Sequence, residues 1–393
     1  MRDGVSQKVV LAYSGGLDTS VCIRWLVEKG YQVTAFCADL GQGEEMRPVR
    51  RRAIACGAEQ VIVRDLKESF VKEYILPALQ AGAVYEGKYL LATALSRPLI
   101  AKSLAEVARQ QHADSIAHGC TGKGNDQVRL EVSLQILAPK LEILAPVREW
   151  ELKSRQEEID YAFDRGLPIA KRSESQFSID QNLWGVSIES GPLEDPWIEP
   201  PMSAYRWTVE PSQAPSKPQV VVIDFKQGIP VALNGQRLEA LSLIQRLNRL
   251  GARHGVGRTD LMEDRLVGIK SREVYEAPAA TILHLAHQEL EQLTLDRETL
   301  FFKELVAQRY ARLIYDGLWF TPLKNALDSF VQSTQERVTG TVRVKLLKGN
   351  CMVIGRRSPF SRYAKALATY GAEDSFDQKA AAGFIKIWGL GYK

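Results

Sequence analysis

The nine residues AYSGGLDTS, Ala12 to Ser20, combine features that suit them to hold a phosphate. The adjacent glycines Gly15 and Gly16 let the backbone turn tightly and come close to an anion. A helix starting directly after them would offer unpaired amides and the positive end of its dipole. Ser14, Thr19 and Ser20 add hydroxyl donors, and the Asp18 carboxylate could hold a magnesium ion on phosphate oxygens. The spacing matches neither G-x-x-x-x-G-K-[ST] nor G-x-G-x-x-G, which disfavours a Walker loop and a nicotinamide-binding turn. The bland alternative is a glycine turn joining strand to helix. A second constellation is HGCTGKGNDQVR, His118 to Arg129. Gly119, Gly122 and Gly124 permit close backbone approach, while Asn125, Asp126 and Arg129 supply polar contacts. Lys123 adds a cation to the loop.

Other chemistry-bearing residues read more plainly. The five cysteines, Cys22, Cys37, Cys56, Cys120 and Cys351, form no C-x-x-C pair and are odd in number, as expected of a reduced intracellular protein without a structural metal. His284 and His287 lie three apart without the glutamate of a zinc-protease motif, and they read as an ordinary helix face. Arg47, Arg50, Arg51 and Arg52 read as a solvated face. No Ser-His-Asp arrangement is visible.

The elements that must position these residues follow from periodicity. KVVLAYS (8–14), VTAFCAD (33–39), VIVRD (61–65), SIAHG (115–119) and LEILAP (141–146) are strand-like runs separated by helical stretches, one of them over 95–111. Gly30 sits where a helix C′ glycine belongs, and Ser154 to Glu157 fits a capping box opening a helix that stops near Gly166. Strands alternating with helices predict an α/β fold with a doubly wound, mostly parallel sheet, whose near-continuous apolar strands are buried on both faces. Both glycine-rich motifs then fall at strand carboxyl ends, where such sheets bind ligands.

After about residue 172 the pattern changes. SIESGPLEDPWIEPP and VEPSQAPSKPQ read as long ordered loops or a boundary. VVVIDFKQGIPVALNG predicts a hairpin with Asn234-Gly235 as a further turn, and RVTGTVRVKLLKGNCMVIG predicts another turning around Gly349-Asn350. Helical periodicity runs over 239–250 and 279–316. The expected organisation is a nucleotide-binding domain over 1–172, an α+β domain over 173–372, and a tail over 373–393 whose short amphipathic helix must pack on a partner.

Composition bounds the function classes. At 393 residues, 45% hydrophobic and 25% charged, the chain suits a soluble globular protein of two or three domains. A net charge of +4 is too weak for a nucleic-acid or membrane footprint. No apolar run approaches the roughly 20 residues of a membrane helix. The N-terminal MRDGVSQK has no signal-peptide core, so a cytoplasmic location is expected.

SGGLDTS resembles the PP-loop of the N-type ATP pyrophosphatases, which split ATP between its α- and β-phosphates. FCADLGQGEE (36–45), GAVYEGKYLLATALSRPLIAK (82–102), HGCTGKGNDQVRLE (118–131) and LEDPWIEPP (193–201) are similar to the argininosuccinate synthase family within that group. So are NRLGARHGVGRTDLMEDRLVGIKSREVYE (248–276), TLDRE (294–298) and GFIKI (383–387). The resemblance implies an ATP-dependent ligase joining L-citrulline and L-aspartate through citrullyl-AMP to give argininosuccinate, AMP and pyrophosphate in arginine biosynthesis. It also implies magnesium with the ATP, and a homotetramer tied together by a C-terminal arm.

By resemblance, ATP is held by Ala12, Tyr13, Ser14, Gly15, Gly16, Leu17, Asp18, Thr19 and Ser20, by Ala38 through its backbone, and by Gly119. Thr121 and Asp126 meet aspartate, Arg129 meets citrulline, and Asn125 meets both. Tyr89, Ser178, Ser187, Glu263 and Tyr275 complete the citrulline site, with Glu263 and Arg129 facing its ammonium and carboxylate. Catalysis needs positioning and charge neutralisation rather than a covalent nucleophile. Asp18 acts there through the metal, and Asp126 is a candidate base only because it should lie near the aspartate amine. Two positions depart from the family: Ala94 replaces a serine that contacts citrulline, and Cys120 replaces an alanine, its thiol expected to be buried and inert. Two rivals stay open. A tRNA thiolation enzyme would want a cysteine pair and a basic appendage, neither of which is evident. A non-catalytic nucleotide sensor would not need the intact loop and polar set.

Overall fold

Short β-branched apolar runs in the first half of the chain form five parallel strands. They are β1 (Lys8–Ala12), β2 (Gln32–Asp39), β3 (Gln60–Asp65), β4 (Ser115–Ala117) and β5 (Glu142–Leu144), in the order β3-β2-β1-β4-β5. The computed structural model describes residues 7–43, 45–168 and 176–392; the expected boundary at 172/173 lies outside them. Helices α1 (Leu17–Glu28), α2 (Met46–Ala55), α3 (Ala92–Gln110), α4 (Asn125–Leu137) and α5 (Arg155–Asp164) cover the sheet. Val9 and Leu11 bury into a core formed with α1, α2 and α5, while Val10 between them joins the core of α3 and α4. That alternation makes the sheet doubly wound and buries both faces. Connections leave β1 toward β2 on one side and β4 lies on the other, so the strand order reverses at β1 and opens a crevice at its carboxyl end. The capping box holds in part. Ser154 Oγ accepts from the Glu157 amide at 3.2 Å, but the Glu157 carboxylate reaches the Lys153 amide, at 2.8 Å.

The second half is antiparallel. Its strands are β6 (Ser178–Asn182), β7 (Gly185–Glu189), β8 (Gln219–Lys226), β9 (Ile229–Leu233), β10 (Gln236–Arg237), β11 (Arg258–Asp264), β12 (Lys270–Glu276), β13 (Gly340–Leu347) and β14 (Asn350–Arg357). They form two sheets, β10-β9-β8-β13-β14 and β11-β12-β7-β6. The helices are α6 (Ala240–Arg253), α7 (Pro278–Thr294), α8 (Arg297–Tyr315), α9 (Pro322–Gln335) and α10 (Gln378–Trp388).

Both expected hairpins form. Asn234 and Gly235 take φ of 52° and 77°, as a type I′ turn requires. The β13–β14 turn sits on Lys348-Gly349, with φ of 42° and 82°, one residue earlier than expected. The helical run over 279–316 is broken at Leu295-Asp296, where Asp296 caps α8 by accepting from the Thr299 amide at 2.9 Å.

The expectation of a loop at SIESG fails, because Ser187 to Glu189 belong to β7. In register, Asp180, Ser187 and Tyr275 lie side by side across β6, β7 and β12, and Ser271 lies opposite Glu263. Residues on that face are polar. Val186, Ile188 and Val274 on the other face pack with Leu193 and Ala204. Polar residues on one face and serine, glycine and proline just beyond the strand hide its alternation.

Candidate active site

The PP-loop motif joins β1 to α1 as expected. Gly15 has φ +84°, and a Cβ there would lie 3.2 Å from Val49 on α2. Gly16 is the N-cap and no side chain caps α1, so its first-turn amides stay open to an anion. Ser14 Oγ accepts from the Gly16 amide at 3.3 Å and lies 3.1 Å from Thr19 Oγ1. Two members of the motif turn inward instead. Ser20 is fully buried and its hydroxyl pairs with the Tyr13 phenol at 3.1 Å, so the donor role expected for Ser20 is corrected to a core contact. The Arg47–Arg52 reading also needs correction at one residue. Arg47, Arg50 and Arg51 are exposed, but Arg52 donates to the Gly15 carbonyl and ties α2 to the loop.

Asp18 points toward α5. There Glu158 Oε2 is buried without a hydrogen-bond partner, and burial together with the Asp18 charge pushes the Glu158 carboxyl up to about 8. Two hard oxygen donors short of a cation suit a magnesium ion. Ala12 ends β1, and Ala38 lies at the end of β2 with its carbonyl accepting from Gln42 Nε2 at 2.8 Å. Leu17 packs its side chain into the core beneath the loop. Gly119 follows β4, and a Cβ there would be 2.9 Å from Thr19 Cγ2. The two glycine-rich loops therefore touch, and only a bare Cα fits between them.

The second loop opens α4 and meets the polar face of the β11-β12-β7-β6 sheet. Asp126 accepts from Arg97 Nη2 at 2.6 Å and from Arg129 Nη1 at 2.9 Å. Burial would raise its carboxyl, but these guanidinium groups outweigh it and hold Asp126 well below the ordinary carboxylate range. Arg97 also pairs with Asp180 on β6, clamping the two halves of the chain together. Arg129 is 4% exposed and donates through Nε to the Tyr315 carbonyl at 2.8 Å, leaving Nη2 buried with no partner. Glu263 is 3% exposed and accepts from the Tyr275 hydroxyl and, at 2.7 Å, from the Tyr315 hydroxyl.

Asn125 Nδ2 donates to Tyr315 Oη at 2.7 Å, and its Oδ1 accepts from the Leu266 amide at 2.9 Å. Tyr89 stacks on Tyr275 with ring centroids 4.2 Å apart, and its hydroxyl accepts from the amides of Thr93 and Ala94 at 3.1 and 3.2 Å. Thr93 Oγ1 lies 2.7 Å from Ser187 Oγ. Ser178 and Thr121 stand at the rim, both exposed. Burial, with the Asp126 charge beside it, pushes the Cys120 thiol up to about 12, so it stays protonated.

Sequence reasoning missed Arg97, Glu158 and Tyr315. Arg97 lay inside a quoted block but carried no motif of its own. Glu158 sits on a helix surface by pattern, and Tyr315 is the last residue of an amphipathic helix. His284 and His287 are both driven down by burial, His284 to about 3, and His287 Nε2 meets Gln335 Oε1 at 2.8 Å. They are neutral core residues. Among the described residues, no three His, Cys, Asp or Glu side chains gather as a metal site.

Comparison with known proteins bears on the whole chain. Residues 8–168 match the family model of the argininosuccinate synthase N-terminal HUP domain, and residues 177–393 match that of the C-terminal domain. Argininosuccinate synthase of Carboxydothermus hydrogenoformans is 55% identical over 390 residues, covering 99% of this chain and 97% of the relative. That of Moorella thermoacetica is 56% identical over 390 residues, covering 99% and 96%. That of Chlorobium luteolum is 54% identical over 388 residues, covering 98% and 97%. Similarity of this extent runs through both glycine-rich loops and the sheet that faces them, and the chain belongs to the argininosuccinate synthase family.

Proposed function

We propose that the crevice between the two loops and the β11-β12-β7-β6 sheet holds ATP, citrulline and aspartate through the residues assigned above, the Ser20 hydroxyl excepted. The chain is an ATP-dependent carbon–nitrogen ligase of arginine biosynthesis. It joins L-citrulline to L-aspartate and yields argininosuccinate, AMP and pyrophosphate. The observation that best supports the site assignment is the pairing of Arg129 and Glu263 around Tyr315. Arg129 keeps one buried donor without a partner, and Glu263 is a buried carboxylate served, among the described residues, by tyrosine hydroxyls. A zwitterionic amino acid offers each what it lacks, a carboxylate to Arg129 and an ammonium to Glu263.

In this reading the uncapped start of α1 receives the phosphates, and Ser14 and Thr19 orient the loop. Ser187 and Tyr89 hold the ureido end of citrulline so that its oxygen meets the α-phosphorus, giving citrullyl-AMP and releasing pyrophosphate. Aspartate then enters between Thr121, Asn125 and Asp126, and its amine attacks the activated carbon. Asp126 held this low is a poor base, so its part narrows from proton abstraction to recognising the ammonium before the amine is freed. Asp18, with Glu158 beside it, would hold magnesium. Bound there, that ion supplies positive charge to the pyrophosphate leaving group. The decisive test is product analysis with ATP, citrulline and aspartate. Argininosuccinate and AMP in equal amounts support the reading, and pyrophosphate release that ignores citrulline overturns the site assignment.

The remaining parts of the assignment concern the departures and the assembly. Thr93 already reaches Ser187, so the hydroxyl missing at Ala94 is partly replaced. Ala94→Ser is expected to lower the citrulline KM by at most about tenfold while leaving that for ATP unchanged, one net hydrogen bond contributing about 0.5–1.5 kcal/mol. An unchanged or higher citrulline KM means that Thr93 fills the role completely.

We place the nucleotide domain at 1–172, the synthetase domain at 173–372 and an oligomerisation tail at 373–393, in a cytoplasmic homotetramer without nucleic acid or membrane partners. Among the described residues no helix is long and apolar enough to cross a membrane. The tail supports the tetramer, because Phe384, Ile385, Ile387 and Trp388 of α10 stay 61–71% exposed on the single chain. An isolated helix of this length is marginal in water and needs a surface to pack on. Deleting residues 376–393 is expected to lower the mass in light scattering from tetramer to dimer or monomer. A truncated protein that stays tetrameric removes the tail from the interface.

A further inference from the structure

Tyr315 ends α8, outside every motif, yet it touches four of the residues assigned to the substrates. Its hydroxyl accepts from Asn125 Nδ2 and donates to Glu263 Oε1, each at 2.7 Å. Its carbonyl accepts from Arg129 Nε at 2.8 Å, and the Arg129 guanidinium lies 4.6 Å over its ring. The ring stands edge-on to Tyr89 with centroids 6.4 Å apart. On its other side it stacks on Tyr85, 3.6 Å away and within 4° of parallel.

The turn after Tyr315 is equally constrained. Gly317 has φ +76°, and a Cβ there would lie 2.6 Å from Arg129 Cα, so the end of α8 is pressed against α4. We propose that Tyr315 is the positioning residue of the citrulline site, its hydroxyl setting the orientation of the Asn125 amide and the Glu263 carboxylate together. The inference rests on the citrulline assignment above and deepens it.

The physical case is one of satisfied and unsatisfied groups. An amide such as that of Asn125 can flip, exchanging donor for acceptor at the substrate. Here the Leu266 amide fixes its oxygen and Tyr315 Oη fixes its nitrogen, so a single orientation survives. Glu263 is a buried carboxylate whose two oxygens each take one tyrosine hydroxyl, Tyr275 on Oε2 and Tyr315 on Oε1. Those donors hold it in place without cancelling its charge, which stays available for an ammonium. Burial and the Glu263 charge both push the Tyr315 phenol upward, so it is a donor across the working pH range. Backbone carbonyl and ring hold Arg129 at the same time, so one residue sets the spacing between the two ends of the amino-acid site.

Tyr315→Phe separates positioning from packing, because it keeps the ring, the Tyr85 stack and the carbonyl bond to Arg129 while removing the hydroxyl. The citrulline KM is expected to rise about tenfold, from the loss of one or two hydrogen bonds to a buried carboxylate and amide. The KM for ATP is expected to stay within about twofold, as is the melting temperature to within a few degrees. Combining Tyr315→Phe with Glu263→Gln should cost clearly less than the two separate losses multiplied, because both act through one contact.

A citrulline KM equal to wild type, or equal rises for citrulline and ATP, overturns the proposal. If the variant instead melts much lower, the citrulline KM measured well below its melting temperature decides the matter. A KM still raised there, with that for ATP unchanged, supports positioning, and a wild-type KM there overturns it. Wild-type protein that makes no argininosuccinate fails the underlying site reading instead, and that result is distinct.

Discussion

Asp18→Asn is expected to cut turnover by at least about 100-fold, equivalent to about 2.7 kcal/mol of transition-state stabilisation, while leaving the fold intact. The loop keeps its glycines and its open amides, so ATP still binds, but the carboxylate that would hold magnesium on the departing pyrophosphate is gone. Near-wild-type turnover at limiting magnesium would remove Asp18 from the mechanism. The same substitution carries a second, opposite expectation for stability. In wild-type protein the Glu158 carboxyl sits at about 8, through burial and then the Asp18 charge, against 4.5 for the free group. The folded state therefore holds a proton that the unfolded chain releases, and stability falls as pH rises from about 4.5 to about 8. Asn at 18 removes the charge part of that shift. In metal-free buffer the melting temperature of the variant should gain on wild type between pH 6 and pH 9. A difference that is flat across that range would show that Asp18 and Glu158 do not share a field. Activity and stability pulling apart in this way is the usual signature of a strained functional site.

Arg97→Met is expected to be the most damaging change outside the recognised motifs. The guanidinium bridges Asp126 on α4 and Asp180 on β6, one from each half of the chain. Without it Asp126 retains Arg129, but Asp180 loses the one cation that pairs with it among the described residues. Breaking a buried pair costs about 3–5 kcal/mol, and the partial exposure of the two carboxylates, 28% and 39%, reduces this to about 2–4 kcal/mol.

The pH dependence gives the sign. Burial already raises the Asp180 carboxyl above its ordinary value even with Arg97 in place. Removing Arg97 lifts it further, so the variant loses more stability as pH rises through that higher value. Its melting temperature should fall further below wild type at pH 8 than at pH 5. Aspartate KM should rise at least about tenfold as Asp126 loses one of its two anchors. Arg97→Lys should rescue both properties only in part, because an ammonium can serve the two carboxylates that Arg97 meets through Nη2 but, on a shorter side chain, cannot also keep the Nη1 bond to Ser96. Equal destabilisation at both pH values would show that Arg97 contributes packing rather than charge.

Much of this protein was legible without coordinates. The five strands and the helices between them follow from apolar periodicity, because a sheet buried on both faces must be apolar on both, whereas the strand order that puts the switch point at β1 came from the fold. The PP-loop was legible for a related reason: Gly15 at φ +84° and an uncapped helix start leave few alternatives in residue type. The hairpin turn at Asn234-Gly235 was legible because positive φ at both positions selects those residues.

The parts that were not legible share one cause, a side chain whose role depends on what another segment brings to it. Ser20 carries the same hydroxyl as Ser14, and only the fold decides that one is fully buried against Tyr13 while the other stays exposed on the loop. Arg52 looks like its exposed neighbours until the PP-loop carbonyl is placed beside it. Strand β7 reads as loop because its polar face, Ser187 and Glu189, turns toward the site and not toward solvent. Local sequence therefore determined the nucleotide fold, both glycine-rich loops and the chemistry they could perform. Tertiary structure alone decided that Arg97, Glu158 and Tyr315, distant in sequence from the residues they serve, would meet them. Burial makes those pairings decisive, since a charge or phenol removed from water must find its partner wherever the fold has put one.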